Sequence, residues 1–263
     1  GGTSWTLEHR DGVVMDGNKT EHLAEFVRVL ERYVSAIGVR TFAELKDWET
    51  ERTDPILSAF RKYASVPVIN LESAMHHPCQ AMADMMTIRE RFGTERKKVL
   101  LTWAWHPKAL PMAVPNSFAL AAAQFGHDLT IAHPEGYDLD AELLAEIRSQ
   151  AAANGESVEI SNDPQRAFEG VDVVYAKSWG SSRFYGDTDG ETALRAPLRQ
   201  DWIVDEAKMA RTSDAAFMHC LPVRRNVIVT DGVIDSPNSL VIDEAENRLH
   251  VQKAIMTRLI GAK

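Results

Sequence analysis

Two short segments of the 263-residue sequence combine side chains that can bind and polarise a small anion. The first, "ESAMHHPCQ" at residues 72–80, brings a carboxylate, histidines and an amide together between a strand-like run and a helical pattern. The second, "HCLPVRR" at residues 219–225, follows an apolar run and ends in two arginines. Histidine, amide and guanidinium groups donate hydrogen bonds, and a helix N-terminus adds backbone N–H groups. The segments therefore indicate transfer chemistry on a small anionic substrate, through positioning and electrostatics.

Each segment also allows a simpler interpretation. Residues 72–80 can be a capped helix start with a surface pair of histidines. A nucleophilic role for Cys220 is disfavoured, because no Asp or Asn partner for a Cys–His dyad stands out. The alternative is that Cys220 is half-buried and directs its backbone carbonyl into the site. Arg224 and Arg225 suit recognition of phosphate or carboxylate, but Arg225 can also form a structural ion pair.

Further candidates stand singly. The loop "AWHPKALPMAVPNS" at 104–117 is stiffened by prolines, and His106 and Lys108 either contact substrate or serve the loop's own hydrogen bonds. Arg40 and Lys177 each follow an apolar run, where a cation either binds a ligand or meets solvent. Arg248 lies on the last predicted helix, and the simpler interpretation is that it belongs to a solvent-exposed face of this helix.

These candidates follow the ends of predicted strands. Apolar and β-branched runs predict strands at 36–40, 66–71, 98–104, 128–133, 157–161, 172–177, 215–219 and 239–243. Helical spacing predicts helices at 20–34 with Thr20 as N-cap, and at 55–64, 80–92, 112–125, 138–153, 203–210 and 244–261. The alternation is typical of an α/β fold with parallel sheets flanked by helices, in which ligands bind beyond the carboxyl ends of the strands.

Composition narrows the class of protein. A net charge of −9 and a pI near 5.5 argue against a general nucleic-acid surface, and no apolar run approaches the ~20 residues of a membrane span. Cys79 and Cys220 form no CxxC pair, which favours a reducing, cytoplasmic setting. The sequence has no GxGxxG, GxxxxGK[ST], HExxH or GxSxG pattern, so neither a metal nor a cofactor is expected.

Several motifs together resemble those of a known family. "HPCQ", "HCLPVRR" and "DEAENRLHVQKAIM" look like motifs of the transcarbamylases, the aspartate and ornithine carbamoyltransferases. "GVVMDGNKTEH", "IGVRTF", "TWAWHPKALPMAVPNSFA", "HPEGYDLD" and "VVYAKSWG" resemble the branch that carbamoylates N-acetylornithine or N-succinylornithine. The motifs occur in the family's order, and the resemblance runs from Trp5 nearly to the C-terminus.

The resemblance implies a role for each matching position. Those that would hold carbamoyl phosphate are Arg40, His77, Pro78, Cys79, Gln80, Cys220, Leu221 and Arg248. Those that would hold the acylated amino acid are Glu72, His106, Lys177 and Arg224. The expected catalytic positions are Arg40, His77, Cys220 and Leu221, which would act through side-chain donors or through backbone groups directed at the amino end of carbamoyl phosphate. Trp5 resembles a tryptophan that reaches into the neighbouring subunit's site, which implies a homotrimer.

Two features depart from the family pattern. A Ser-x-Arg-Thr-Arg phosphate loop would precede Trp5 and does not occur in this sequence, so the first lobe is expected to be incomplete. Thr20 occupies a position where the acetyl branch resembles Glu and the succinyl branch resembles Pro, which makes it the expected acyl-specificity position. Some of the remaining sequence segments resemble the acetyl branch and others the succinyl branch, and together they slightly favour an N-succinylated substrate.

The sequence thus predicts two α/β lobes. Residues 1–80 would be the remnant of a carbamoyl phosphate lobe, 81–243 an acylornithine lobe, and 244–263 a helix that returns to the first lobe. The expected activity transfers the carbamoyl group of carbamoyl phosphate to the δ-amino group of an N2-acyl-L-ornithine in arginine biosynthesis. Two alternatives stay open: a non-catalytic transcarbamylase-like binding subunit, and plain ornithine carbamoyltransferase.

Overall fold

The first lobe contains two short parallel strand pairs. A computed structural model describes residues 7–261, so the predicted role of Trp5 lies outside the described residues. The elements of this lobe are β1 (Leu7–Glu8), β2 (Glu21–His22), α1 (Leu23–Leu30), β3 (Ile37–Arg40), α2 (Trp48–Glu51), α3 (Pro55–Tyr63) and β4 (Val68–Glu72). β1 pairs with β2, and β3 pairs with β4 so that Arg40 lies opposite Glu72. Leu23, Val27 and Phe60 pack against β3 in a small apolar core.

The second lobe is a five-stranded parallel sheet flanked by helices. Its strands are β5 (Lys98–Trp103), β6 (Asp128–Ala132), β7 (Val158–Ser161), β8 (Val173–Lys177) and β9 (Ala216–Met218). They lie in the order β7-β6-β5-β8-β9, so the chain moves outward from β5 in one direction and then returns to continue in the other. The point where the strand order reverses, between β5 and β8, is where sheets of this kind bind ligands.

Helices cover this sheet and join it to the first lobe. They are α4 (Pro78–Phe92), α5 (Ala113–Gln124), α6 (Ala141–Ala153), α7 (Thr188–Arg195), α8 (Glu206–Met209), α9 (Asp231–Ile234) and α10 (Val241–Ile260). α4 packs against β4, α5 and α10, and α10 also contacts β9. The start of α4 and the first turns of α10 therefore lie where the ends of β4 and β9 approach each other.

Three predicted elements differ from the structure. The strand predicted at 239–243 is wrong: Ser239 forms a single bridge with Phe217, and α10 begins at Val241, where Asp243 and Glu244 in the first turn favour a helix start. Thr20 is not a helix N-cap. His22 is the N-cap of α1, and its Nδ1 accepts from the Ala24 N–H at 3.1 Å. The helix predicted at 203–210 spans only 206–209.

Candidate active site

Most of the predicted ligand-binding residues lie at the carboxyl ends of parallel strands. Arg40 ends β3, Glu72 ends β4 and Lys177 ends β8, while the segment that begins at His219 follows β9. Trp103, the last residue of β5, lies opposite Lys177, so the loop that carries His106 begins beside this lysine. The site thus forms at the predicted edge of both sheets.

Lys177 lies within electrostatic reach of three histidines. Burial is the main cause that lowers the pKa of His77, His106 and His219, and the charge of Lys177 adds to the lowering in each case. These histidines come from the start of α4, the loop after β5 and the segment after β9. The four side chains therefore lie close enough for their charges to interact, and the region around them at the carboxyl ends of the strands is here called the cleft.

Arg40, Glu72 and His77 form a connected group in this cleft. Arg40 donates through Nε and Nη2 to Glu72 Oε2, at 3.1 and 2.9 Å. His77 Nε2 lies 3.9 Å from the same oxygen. Burial, followed by the charges of Arg248, Arg40 and Lys177, lowers the pKa of His77 to about 3. The imidazole is therefore neutral at pH 7, and a neutral imidazole still donates one N–H.

The start of α4 is fixed by the second lobe. His77 is its N-cap, and the His77 backbone N–H donates to Ser117 Oγ of α5 at 2.7 Å. Pro78 occupies the first helical position, where its missing N–H is not needed. Cys79 is buried with its thiol 3.5 Å from the Asn70 carbonyl, and burial raises its pKa. The thiol of Cys79 therefore serves packing, and its predicted ligand contact stays a prediction.

Gln80 lies at the centre of a buried polar network. Its Nε2 donates to Asp84 Oδ1 at 2.7 Å and to Glu244 Oε1 at 2.9 Å, and its Oε1 accepts from Arg248 Nη1 at 2.6 Å. Both amide hydrogens of Gln80 are engaged by carboxyl groups in this structure, and its predicted contact with the ligand stays a prediction. Arg248 is half-buried and faces this network, so the solvated-face alternative does not apply to it.

The segment after β9 turns sharply back toward the cleft. The Leu221 N–H donates to His219 Nδ1 at 2.9 Å, Leu221 has a φ of 47°, and the Leu221–Pro222 peptide is cis. Cys220 is half-buried. Arg225 pairs with Asp231 and Asp235, which confirms the structural alternative for this arginine. Arg224 is exposed, and after burial its charge lowers the pKa of His106 further.

The loop that carries His106 is anchored by a buried arginine. Arg195 donates through Nη1 to the carbonyls of His106 and Lys108, at 2.8 and 2.7 Å. Its Nη2 donates to the Trp179 carbonyl and to Glu191. His106 Nδ1 lies 2.9 Å from the Lys108 carbonyl, so one face of its ring serves the loop itself. The hydrogen-bonding interpretation of His106 is confirmed at Nδ1, and its predicted contact with substrate stays a prediction.

Sequence reasoning missed the residues that support the site from behind. Four buried polar residues on helices were not predicted: Asp84, Glu191, Arg195 and Glu244. A helical-spacing signal did exist, since Asp84 is four positions after Gln80 and Glu244 four positions before Arg248. Between residues 7 and 261 there is no group of three or more His, Cys, Asp or Glu that suits a metal ion. In the same part of the chain, no helix has the length and apolar character needed to span a membrane.

Comparison with known proteins connects this geometry to a class. The carbamoyl-P binding domain of aspartate/ornithine carbamoyltransferase matches residues 1–90, and the Asp/Orn binding domain matches residues 110–259. N-acetylornithine carbamoyltransferase of Xanthomonas campestris pv. campestris is 49% identical over 99% of this chain and 78% of its own length. N-succinylornithine carbamoyltransferase of Bacteroides thetaiotaomicron is 43% identical over 98% of this chain and 76% of its own length.

Solved structures give the same result. The crystal structure of acetylornithine transcarbamylase complexed with acetylcitrulline superposes with a TM-score of 0.96 at 48% identity, covering 99% of this chain and 78% of that chain. The two sets of parallel strands, with a cationic cleft at their carboxyl ends, therefore define a transcarbamylase fold. The chain belongs to the aspartate/ornithine carbamoyltransferase family, and it is a carbamoyltransferase.

Proposed function

We propose that this enzyme transfers the carbamoyl group of carbamoyl phosphate to the δ-amino group of an N2-acyl-L-ornithine, releasing an N-acylcitrulline and phosphate. The observation that carries this proposal is the set of cations around the neutral His77. Arg40, Lys177 and Arg248 all act on this imidazole, and in residues 7–261 neither the Lys177 amino group nor the Arg224 guanidinium has a hydrogen-bond or ion-pair partner. Such a cleft favours substrates that carry phosphate and carboxylate groups.

The proposed chemistry needs positioning and charge stabilisation. The neutral δ-amino nitrogen attacks the carbonyl carbon of carbamoyl phosphate and forms a C–N bond. His77, as a neutral N–H donor, polarises the carbonyl oxygen and stabilises the tetrahedral intermediate. The bond from carbon to the phosphate oxygen then breaks, and the departing phosphate accepts the proton that the amine loses. Arg40 and Arg248 balance the charge of the phosphate, which grows as that bond breaks.

Substrate binding would exchange the partners of Arg40. In the structure, Arg40 is held by Glu72 and its guanidinium also lies over the Phe42 ring, 4.6 Å from the centroid. A phosphate group would compete with Glu72 for the guanidinium, because phosphate offers a second anionic, forked partner. The released carboxylate would then be free to bind the acylated amino acid. The assigned roles of Arg40 and Glu72 are thereby linked through one ion pair.

The relatives support an acylated substrate and not one particular acyl group. Relatives named N-acetylornithine carbamoyltransferase are 46–49% identical to this chain, and those named N-succinylornithine carbamoyltransferase are 42–43% identical. A Glu-to-Ala variant of N-acetyl-L-ornithine transcarbamylase has been crystallised with carbamyl phosphate and N-succinyl-L-norvaline. The slight lean toward succinyl from sequence motifs stays a prediction, and Thr20 is the proposed selector.

The resemblance to the family also supports a proposal for the pathway, the compartment and the oligomeric state. We infer a cytoplasmic homotrimer that acts in arginine biosynthesis, with Trp5 contributing to the neighbouring subunit's site. We also propose that residues 1–80 belong to the carbamoyl phosphate lobe, 81–243 to the acylornithine lobe and 244–263 to the returning helix. Sedimentation of the native protein, with Trp5→Ala as the comparison, tests the assembly.

The test of the activity is product formation by the native full-length protein. N-acetylornithine, N-succinylornithine and ornithine are offered in parallel with carbamoyl phosphate, and citrulline-type product is measured. Turnover of an N-acylornithine is the expected result. Preferred turnover of free ornithine would overturn the proposed substrate class in favour of plain ornithine carbamoyltransferase. Tight binding of an acylornithine without any turnover would favour the binding-subunit alternative.

A further inference from the structure

A buried pair of carboxyl groups lies directly behind Gln80, and the proposed chemistry assigns it no task. Asp84 belongs to α4 and Glu244 to α10, and both side chains are almost completely removed from solvent. Both approach the same nitrogen, Gln80 Nε2. Two adjacent carboxyl groups in a solvent-free site cannot both be ionised without a large electrostatic cost. At least one proton is therefore part of this network.

The hydrogen bonds locate that proton. Glu244 accepts at both oxygens: Oε1 from Gln80 Nε2, with the Tyr175 hydroxyl at 3.4 Å, and Oε2 from the His219 N–H at 3.0 Å. Asp84 Oδ1 also accepts from Gln80, but Asp84 Oδ2 is buried and has no hydrogen-bond partner among the described residues. A proton on Asp84 Oδ2 would give this oxygen a bond to donate toward Glu244. Glu244 is therefore the ionised member of the pair.

The charges around the pair agree with one shared proton. Burial raises the pKa of Asp84 to about 7, and burial together with the neighbouring Asp84 raises the pKa of Glu244. The groups that face the pair are Gln80 of α4, Tyr175 of β8, His219 and Cys220 after β9, and Arg248 of α10. Arg248 is the cation among them, and it balances the single negative charge that remains.

We propose that Asp84 and Glu244 share one proton and act as positioning residues for Gln80 and Arg248. The two carboxyl groups bind both hydrogens of the Gln80 amide, so its oxygen must face Arg248 and the cleft. The orientation of the Gln80 amide is thereby fixed by the two carboxyl groups behind it. The proposal deepens the proposed function and depends on it only for the identity of the ligand.

A matched pair of isosteric variants tests the placement of the proton. In Asp84→Asn, an amide N–H replaces the carboxylic O–H and still donates toward Glu244, while the amide oxygen still accepts from Gln80. In Glu244→Gln, an NH2 group replaces an oxygen that accepts either from Gln80 or from the His219 N–H, so two donors face each other. We expect Asp84→Asn to keep kcat and the KM for carbamoyl phosphate within about twofold, and Glu244→Gln to raise that KM about tenfold or more.

The pH profile separates positioning from packing. The wild-type enzyme should lose affinity for carbamoyl phosphate at alkaline pH, where the pair loses its shared proton and two adjacent charges repel, because burial raises the pKa of both carboxyl groups. Asp84→Asn cannot lose this proton and should remove that alkaline loss. Equal KM values for the two variants, or an unchanged alkaline limb in Asp84→Asn, would overturn the proposal.

Infrared spectroscopy keeps the test independent of turnover and of the folding of Glu244→Gln. A protonated carboxylic acid has its own C=O stretching band, which should be present in the wild-type protein at pH 6 and absent in Asp84→Asn. If the wild type carbamoylates no N-acylornithine but this band behaves as expected, the proposed function fails and the shared proton stands. If the wild type is active but the band is missing, or persists in Asp84→Asn, the shared proton fails alone.

Discussion

Arg195 and Glu191 form an ion pair in the interior of the second lobe, one helical turn apart on α7. The side chain of Arg195 is 1% exposed and that of Glu191 4% exposed. Glu191 also accepts the Ser181 N–H at 3.0 Å, while Arg195 lies over the rings of Trp103 and Tyr137. The pair therefore ties the loop after β8 to the loop that carries His106.

Removal of Arg195 should be costly. In Arg195→Ala the carboxylate of Glu191 stays buried without its partner, and the loop carbonyls lose their donors. We expect the free energy of unfolding to fall by about 3–5 kcal/mol, measured by urea denaturation. Arg195→Lys should recover only part of this loss, because an ammonium group cannot reproduce the forked geometry.

Arg225 provides the comparison for this prediction. It also pairs with carboxylates, Asp231 and Asp235, but this group is exposed to solvent. Arg225→Ala should therefore lower the free energy of unfolding much less than Arg195→Ala does, because water screens an exposed ion pair. If the free energy of unfolding falls by similar amounts in Arg195→Ala and Arg225→Ala, burial is not the reason that the Arg195 ion pair stabilises the fold.

His77 should make the protein less stable in acid. Its pKa is lowered by burial to about 3 in the folded state, whereas the unfolded chain takes up this proton near pH 6.5. The unfolded state thus binds more protons as the pH falls below 6.5, which destabilises the fold down to about pH 3. Between pH 7 and pH 5, we expect His77 to account for about 2 kcal/mol of lost unfolding free energy.

Replacement of His77 isolates this contribution. Urea denaturation at both pH values should show a smaller acid-induced loss for His77→Gln than for the wild type. His250→Gln, which changes an exposed histidine on α10, serves as the control and should follow the wild type. An acid-induced loss in His77→Gln as large as that of the wild type would contradict the buried, neutral state of this imidazole.

Sequence patterns predicted the strands of the second lobe because their surroundings are uniform. β5 and β8 are covered on both faces, so their sequences are almost continuous apolar runs. The run at 239–243 has the same composition but a different environment. The Leu240 N–H donates to the Phe217 carbonyl, and the chain then enters α10. The contact with β9 is a tertiary one that local composition does not contain.

The site divides in the same way. The rule for strand ends located Arg40, Glu72 and Lys177, because it depends only on topology. It did not find Asp84 or Glu244, since a charged residue on a helix is usually solvated. Only the packing of α4 against α10 shows that these two carboxyl groups are buried behind Gln80.

The charge of the side chain at position 20 should set the preference between the acetyl and the succinyl group. Thr20 is exposed just before β2, where the resembling acetyl branch has Glu and the succinyl branch Pro. Thr20→Glu should lower kcat/KM for N-succinylornithine relative to N-acetylornithine, because a second carboxylate repels the succinyl carboxylate. Thr20→Pro should shift the ratio toward succinyl. Thr20→Gln separates charge from size, and an unchanged ratio in Thr20→Glu and Thr20→Pro would remove position 20 as the selector.

Gly186 should matter for the contact between the lobes. Its N–H donates to the Leu45 carbonyl at 2.8 Å, and Tyr185 beside it meets Trp48 edge-on at a centroid distance of 5.3 Å. Gly186 has a φ of 83°, and an added Cβ would lie 3.0 Å from the Lys46 carbonyl oxygen. Gly186→Ala therefore combines backbone strain with a tight contact to the Lys46 carbonyl oxygen.

Gly155 has nearly the same backbone conformation without the contact. Its φ is 77°, and an added Cβ would meet nothing within 4 Å. Gly155→Ala should show the strain alone, about 1 kcal/mol by thermal or urea unfolding, with kcat/KM unchanged. Gly186→Ala should lose more stability and also kcat/KM, because the Leu45–Trp48 segment follows Arg40 and helps to hold it against the second lobe. If kcat/KM falls equally in both variants, the loss of activity is caused by backbone strain and not by the contact between the lobes.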